Sequence, residues 1–206
     1  MDEVMLMALY GSPRVGGNTE IIMDEFLRGA ENEGAKVDRL YVREHCIAPC
    51  HGCLSCFQTG QCVIADDMQQ IYPRLLAADI VVLASPIFFY GVTAGVKALI
   101  DRAQALWGRR YVLKDPTLGE GGKKRGGFFI SVGGTKGRRM FEGAILTVKY
   151  FFDAFHAQYG GELLFREVDG RGDILKQPGA LEEARIMGGK QVRNWKAAKA
   201  ISDTSN

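Results

Sequence analysis

Residues 4–19 read VMLMALYGSPRVGGNT, an apolar run followed by a loop rich in glycine and other turn-forming residues. A short, continuous apolar run is typical of a strand that is buried on both faces of a parallel sheet. An amphipathic helix is predicted next, with Ile21, Ile22 and Phe26 facing inward and an end near Gly34. The succession of strand, glycine-rich loop and helix therefore predicts the first βα unit of a parallel α/β sheet.

The rest of the chain repeats this alternation. Further strands are predicted at 37–42, 79–84, 126–132 and 161–168, and further helices at about 68–76, 93–107, 139–158 and 179–199. Strands that alternate with helices at this spacing indicate right-handed crossovers and a parallel sheet. We expect one α/β domain over residues 1–206, a three-layer sandwich with helices on both faces of a five-stranded sheet. Segments 46–65 and 108–124 are expected as insertions, and 201–206 as a frayed tail.

Composition and charge limit the classes of function. The chain has 206 residues, of which 47% are hydrophobic and 24% charged, with a net charge of +2. These values are typical of an ordinary globular protein and give no reason to expect nucleic acid as a partner. The first residues lack the basic and apolar regions of a signal peptide, and no apolar run approaches the roughly 18 residues that cross a membrane. We therefore expect a cytoplasmic protein with no membrane partner.

The loop after the first strand carries the pattern of a phosphate site. Ser12, Asn18 and Thr19 supply side-chain donors, Arg14 supplies a positive charge, and the helix that follows offers free N–H groups and the positive end of its dipole. The loop matches neither the Walker A pattern nor the G-x-G-x-x-G dinucleotide fingerprint, which favours a mononucleotide. The alternative is a solvated turn in which Asn18 or Thr19 caps the helix.

Two more loops should meet this one, because the carboxyl ends of parallel strands lie at the same edge of a sheet. The segment 85–91 is aromatic and could border a flat ring, or could be a wall of the core, and the glycines of 133–135 allow close backbone contact. Together the three loops predict an FMN site. Its candidate residues are Ser12, Pro13, Arg14, Gly17, Asn18, Thr19, Ser85, Pro86, Ile87, Phe88, Phe89, Tyr90, Gly91, Gly133, Gly134 and Thr135.

Four of the five cysteines, Cys50, Cys53, Cys56 and Cys62, follow the spacing C-x2-C-x2-C-x5-C. This spacing is close to the opening of bacterial ferredoxin cluster motifs, so the four are candidate ligands of a [4Fe–4S] cluster. In the cytoplasm, clustered cysteines indicate metal or redox chemistry more than structural disulfides. The alternatives are reduced structural cysteines or a structural zinc site, whose cysteine pairs are usually further apart. Cys46 is expected to pack in the core or to support the ligands from behind, and the alternative is that it replaces one of them.

The sequence resembles the iron–sulfur flavoprotein branch of the flavodoxin-like NADPH-dependent FMN reductase superfamily. The resemblance rests on the loop 11–19, the cysteine motif that runs into 66–68, the segment 84–88, and residues 97–102. It implies a sheet of order 2-1-3-4-5, FMN at the strand ends, a [4Fe–4S] cluster held by the four cysteines, and a homodimer or homotetramer. By position, it also implies that Ser12, Arg14, Asn18 and Thr19 hold the FMN phosphate.

The hypothesis is an electron route from a ferredoxin-type donor through the cluster to FMN and then to a small acceptor such as oxygen, peroxide or a quinone. Electron transfer needs no acid–base pair, so no catalytic side chain is predicted. One alternative is a cluster-free NAD(P)H-dependent FMN or quinone reductase, with NADPH as substrate. The other is a non-enzymatic electron carrier or redox sensor.

Overall fold

The computed structural model describes residues 3–204 and contains a five-stranded parallel sheet. The strands are β1 Val4–Tyr10, β2 Ala35–Tyr41, β3 Ile80–Pro86, β4 Arg125–Gly133 and β5 Ala157–Arg166. Their order is β2-β1-β3-β4-β5, which confirms the predicted flavodoxin-like topology. The chain reverses its direction of winding between β1 and β3, and such a switch point leaves a crevice outside the carboxyl ends of the strands.

Helices cover both faces of the sheet, as predicted. They are α1 Asn18–Asn32, α2 Cys56–Thr59, α3 Met68–Ala77, α4 Ala94–Arg102, α5 Gln104–Trp107, α6 Glu142–Asp153 and α7 Ala180–Thr204. Helices α1 and α7 share one hydrophobic core with the sheet, and α3, α4 and α6 pack in a second core on the other face. Within residues 3–204, no helix has both the length and the apolar character that crossing a membrane requires.

Helices α1 and α7 approach each other so closely that only glycine fits at the contact. A Cβ atom on Gly188 would lie 1.8 Å from the carbonyl oxygen of Phe26, and one on Gly29 would lie 1.8 Å from that of Arg185. The Arg185 guanidinium also donates to the buried carboxylate of Glu25, with an Nη2–Oε2 distance of 2.8 Å. Helix α7 is thereby held against the helix that begins at the predicted phosphate loop.

The sequence prediction was wrong at the end of the sixth helix. A helix was expected over 139–158 and a strand from 161, but α6 ends at Asp153 and β5 begins at Ala157. Two features explain the early end. The aromatic run stays buried past the end of the helix, with Phe152 inside α6 and Phe155 beyond it both fully buried, and His156 has a left-handed φ of 60°, which a helix cannot contain.

His156 lies in a cationic environment at the start of β5. Its Nδ1 atom is buried and has no hydrogen-bond partner. Burial lowers the pKa of His156, and the charges of Arg110, Arg125 and Lys124 lower that pKa further, while Asp153 opposes them. The folded protein therefore favours the neutral imidazole.

Two other boundaries differ from the prediction. The expected helix over 93–107 is divided into α4 and α5 at Ala103. The frayed tail expected at 201–206 was wrong for its first residues, because α7 continues to Thr204, and residues 205–206 lie outside the described residues.

Candidate functional site

A cleft lies at the carboxyl ends of β1, β3 and β4, where the switch point predicts one. It contains about 590 Å³ of space free of protein atoms, counted out to its open mouth. The predicted residues that line it are Ser12, Pro13, Arg14, Gly17, Asn18, Thr19, Pro86, Ile87, Phe88, Gly133 and Gly134. Three loops that are far apart in the sequence therefore meet at one cleft.

Five of the predicted residues do not line this cleft: Ser85, Phe89, Tyr90, Gly91 and Thr135. Ser85 is fully buried, and its hydroxyl accepts from the backbone N–H of Thr93 at 3.2 Å. The hydroxyl of Thr135 lies 3.3 Å from the sulfur of Met140. Both side chains hold the loops in place rather than face the cleft.

The aromatic segment forms a tight turn beside the cleft. Phe88 and Gly91 exchange two backbone hydrogen bonds of 2.9 and 3.0 Å, and the residues between them, Phe89 and Tyr90, have φ values of 48° and 62°. Two consecutive left-handed residues are typical of a type I′ turn, which usually contains asparagine or glycine. Phe88 lines the cleft, whereas Phe89, Tyr90 and Gly91 do not, and the Phe89 side chain is fully exposed. The turn therefore presents aromatic surface to solvent.

The loop between β1 and α1 is shaped to approach an anion. The Ser12 hydroxyl accepts from the backbone N–H of Arg14 at 3.1 Å, which closes the loop on itself. A Cβ atom on Gly17 would lie 3.2 Å from the Ser12 oxygen and from the Arg14 carbonyl, so a side chain would crowd the inside of the loop. The first amides of a helix have no partner within it and carry the positive end of its dipole. These amides and Arg14 are the groups of this loop that could hold a phosphate.

Sequence reasoning missed a segment after β5 that closes one side of the cleft. Val168 and Asp169 line the cleft together with Val132. The Asn18 side chain fastens this segment to the loop, because its Nδ2 donates to the Gly170 carbonyl at 2.8 Å and its Oδ1 accepts from the Ile174 N–H at 3.3 Å. The run VDGRGD at 168–173 indicates a turn, but its partner 150 residues earlier could not be read from the pattern.

The four cysteines of the motif line a second cavity, together with Arg102. Cys56 is buried, Cys62 is partly buried, and Cys50 and Cys53 are exposed. Burial raises the pKa of Cys56, and the charges of the other three thiolates raise it further, so all four sulfur atoms are within electrostatic reach of one another.

Local backbone geometry differs at the two glycines of this loop. The N–H of Gly52 donates to the Cys50 sulfur at 3.4 Å, as expected for a backbone amide that faces a sulfur ligand. The N–H of Gly60 instead donates to the carbonyl of Cys56 at 2.9 Å and ends α2. Cys46 does not line the cavity, and its backbone N–H donates to the Asp67 carboxylate at 2.7 Å.

A buried ion pair fastens both ends of the cysteine loop. The Arg102 guanidinium, 1% exposed, donates to both carboxylate oxygens of Asp66 at 2.6 and 2.9 Å. It also donates to the carbonyls of Ala48 at 3.0 Å and Ile64 at 3.2 Å, which flank the loop. Burial alone would raise the pKa of Asp66, but hydrogen bonds from Arg102, Ala48 and Met68 keep that pKa below its usual value.

The end of α5 and the first residue of the predicted insertion 108–124 pack against the cysteine loop. The ring of Phe57 in α2 packs on that of Trp107, with centroids 5.5 Å apart. A Cβ atom on Gly108 would lie 2.9 Å from the Phe57 ring, so this position has room only for glycine. The short helix α2, which includes Cys56, is thereby packed against the helical segment that follows α4.

Helix α4 connects the cleft and the cysteine cavity. The Thr93 hydroxyl, just before α4, donates to the carbonyl of Gly11 at 2.8 Å beside the phosphate loop, and α4 ends at Arg102 in the cysteine cavity. The helix has nine residues, which at 1.5 Å per residue is about 13 Å. The start of the loop after β1 and the cysteine cavity therefore lie at opposite ends of one short helix.

Comparison with known proteins adds to this geometry. The sequence profile of the family described as NADPH-dependent FMN reductase matches residues 4–157. An iron–sulfur flavoprotein of Methanosarcina thermophila is 35% identical over 125 residues, which cover 59% of this chain and 65% of that protein. One from Methanocaldococcus jannaschii is 31% identical over 148 residues, covering 71% of this chain and 70% of that protein. The chain spans only about half the length of two other archaeal iron–sulfur flavoproteins, at 52% and 49%.

Solved structures show the same fold. A flavone reductase superposes with a TM-score of 0.73 at 19% identity, covering 95% of this chain and 64% of that one. An azoreductase from Bacillus anthracis superposes with a TM-score of 0.65 at 14% identity, covering 91% of this chain and 99% of that one. At these identities the likeness concerns the fold alone.

Proposed function

Because this chain belongs to the NADPH-dependent FMN reductase family, in its iron–sulfur flavoprotein branch, we propose that it is an FMN-dependent oxidoreductase that passes electrons between a [4Fe–4S] cluster, FMN and a small acceptor. The observation that carries the proposal is the pairing of two sites at the ends of α4. One is a cleft with groups that could hold a phosphate, and the other is a cavity lined by four cysteines.

The cleft fits a mononucleotide. The amides at the start of α1 and the guanidinium of Arg14 hold the phosphate, since both favour an anion at that position. Pro86, Ile87 and Phe88 border one side of the ring, and Gly133 and Gly134 let the backbone approach the other side. The Asn18 side chain acts indirectly, by fastening the segment that contributes Val168 and Asp169 to the cleft wall.

The second cavity fits an iron–sulfur cluster. Its donor set consists of Cys50, Cys53, Cys56 and Cys62, and thiolates are the ligands that such clusters take. Among the described residues, no three His, Cys, Asp or Glu side chains are grouped closely enough to hold a single metal ion. A four-iron cluster needs no such grouping, because each cysteine binds a different iron atom and the sulfur atoms stay apart.

When bound, FMN supplies the exchange of electrons in pairs or singly, which connects one-electron and two-electron partners. The chain's own residues bind and orient the two groups, and α4 sets the separation between them. We infer a homodimer or homotetramer in the cytoplasm, with a ferredoxin-type donor and oxygen, peroxide or a quinone as acceptor. The exposed aromatic turn beside the cleft supports contact with another molecule at that edge.

The test is a cofactor count on protein that is prepared without oxygen. FMN, iron and acid-labile sulfide are measured per chain after reconstitution with FMN, ferrous iron and sulfide. We expect one FMN with about four iron and about four sulfide per chain, as a [4Fe–4S] cluster requires. Protein that binds FMN but no sulfide would contradict the cluster. Protein that binds neither group would contradict both sites.

A second candidate is a cluster-free NAD(P)H-dependent FMN or quinone reductase. It is favoured by the exposure of Cys50 and Cys53, which are open to solvent in this chain. In that case the four cysteines stay reduced and NADPH delivers hydride to the flavin. The cofactor count distinguishes the two, since the second candidate predicts FMN without iron and rapid bleaching of the flavin absorbance by NADPH.

A further inference from the structure

Arg102 carries a hydrogen-bond donor that the fold does not use. Among the described residues, only two buried side-chain nitrogen or oxygen atoms have no hydrogen-bond partner, and one of them is the Nε of Arg102. Both terminal nitrogens of the same guanidinium are engaged by Asp66 and by loop carbonyls. A buried donor without a partner destabilises a fold, so one that persists beside a cavity indicates a partner that enters the cavity.

The surroundings of Arg102 indicate which partner this is. Arg102 lines the cysteine cavity, and among the residues that line it Arg102 is the one with a permanent positive charge. Burial alone would lower the pKa of Arg102, but Asp66, Tyr72 and Cys62 raise it. Cys62 therefore lies within interaction range of the guanidinium.

The negative charge of an iron–sulfur cluster also makes it a suitable partner for the Arg102 guanidinium. Four thiolates around an iron–sulfur core give an anionic group, and each electron that the group accepts adds one more negative charge. A buried cation stabilises the more negative state, and hydrogen bonds to the sulfur atoms act in the same direction. Asp66 reduces this effect without cancelling it, because Asp66 lies behind the guanidinium and does not line the cavity.

We propose that Arg102 is a positioning residue of the four-cysteine site: when a cluster is bound, its otherwise unused Nε–H donates to the Cys62 sulfur, and its buried charge raises the reduction potential of that cluster. The inference rests on the proposed function, since it needs a cluster in the cavity. It adds a residue outside the cysteine motif, from a helix 40 residues further along the chain. The step involved is the uptake of one electron by the cluster, with no atom transferred.

The test is a redox titration of the loaded protein, followed by the electron paramagnetic resonance signal of the reduced cluster. In Arg102→Gln we expect the ratio of reduced to oxidised cluster at a fixed potential to fall on the order of tenfold, because a buried positive charge beside the cluster is removed. For a one-electron couple, tenfold corresponds to about 59 mV. Arg102→Lys keeps the positive charge but loses the planar set of guanidinium donors. The ratio of reduced to oxidised cluster should therefore fall less in Arg102→Lys than in Arg102→Gln. Asp66→Asn removes the negative charge that opposes the Arg102 guanidinium, so the ratio of reduced to oxidised cluster should rise in this variant.

The control is Arg74→Gln. Arg74 also forms a bidentate pair, with Asp38 at 2.9 and 2.7 Å, but it does so through its Nε and Nη2, and it does not line the cavity. The reduction potential of the cluster in Arg74→Gln should match that of the wild type. FMN content and melting temperature show whether each variant is folded.

The possible results separate a failure of this inference from a failure of the proposed function. Wild-type potential in folded Arg102→Gln would overturn the inference while leaving the proposed function intact. If Arg102→Gln keeps FMN but loses the cluster, the loss of the loop fastening explains this equally well, and the sign of the shift of the reduction potential in Asp66→Asn decides. If Arg102→Gln does not fold, the sign of the shift of the reduction potential in Asp66→Asn decides. The absence of an upward shift would overturn the inference. A wild-type chain that binds FMN but no cluster overturns the proposed function itself.

Discussion

Replacing Asn18 by alanine is expected to destabilise the fold and to weaken FMN binding together. The Asn18 amide is 7% exposed and joins the loop after β1 to the segment after β5 through hydrogen bonds to Gly170 and Ile174. Alanine removes both hydrogen bonds and leaves the buried N–H of Ile174 without a partner.

The magnitude follows from these contacts. Two hydrogen bonds contribute about 1 kcal/mol each, and a buried unpaired donor costs about 1–3 kcal/mol more, so the free energy of unfolding should fall by about 3–5 kcal/mol. For a chain of this size that corresponds to a melting temperature lower by roughly 6–20 °C. Since the same segment supplies Val168 and Asp169 to the cleft wall, the dissociation constant of FMN should rise at least about tenfold, which is about 1.4 kcal/mol.

Urea unfolding of the apoprotein gives the stability, and titration of FMN fluorescence gives the dissociation constant. Asn32→Ala is the matched control, because Asn32 is exposed at the other end of the same helix, so it should change neither value. Equal stability and equal FMN affinity in the two variants would refute the assignment of Asn18 as the fastener. A loss of affinity without a loss of stability would indicate that the amide contacts the phosphate directly.

Three more predictions concern other parts of the molecule. Gly188→Ala should lower the free energy of unfolding by at least about 3 kcal/mol, as urea unfolding measures, because its Cβ meets backbone at 1.8 Å. Gly189→Ala, with no contact under 3.2 Å, should lower it less, and equal losses would contradict the helix contact. Because the pKa of His156 is lowered on folding, the unfolded chain binds more protons and stability should fall as the pH drops below about 6.5. His156→Asn, which tolerates left-handed backbone, should flatten that slope, and an unchanged slope would contradict the buried neutral imidazole. Serine in place of a cavity-lining cysteine should lower the iron content, whereas Cys46→Ser should not, and equal iron in all five variants would contradict the ligand set Cys50, Cys53, Cys56 and Cys62.

Local patterns in the sequence were sufficient for the sheet and for most of the cleft. A doubly apolar strand such as β1 and a glycine-rich loop before an amphipathic helix are properties of neighbouring residues, so they could be read directly. Three of the loops that line the cleft followed from them, because parallel strands bring their carboxyl ends to one edge, whereas the strand order was implied by the family resemblance.

Contacts between distant residues were decided only by the tertiary structure. The end of α6 depends on where the core accepts Phe152 and Phe155, and the wall at 168–169 depends on an asparagine 150 residues earlier. The cysteine spacing predicted a cluster site, but nothing in that spacing pointed to Arg102, whose carboxylate partner and unused Nε are set by the packing of α4 against the loop. Short-range pattern determines which elements form, whereas burial determines which polar groups must find each other across the fold.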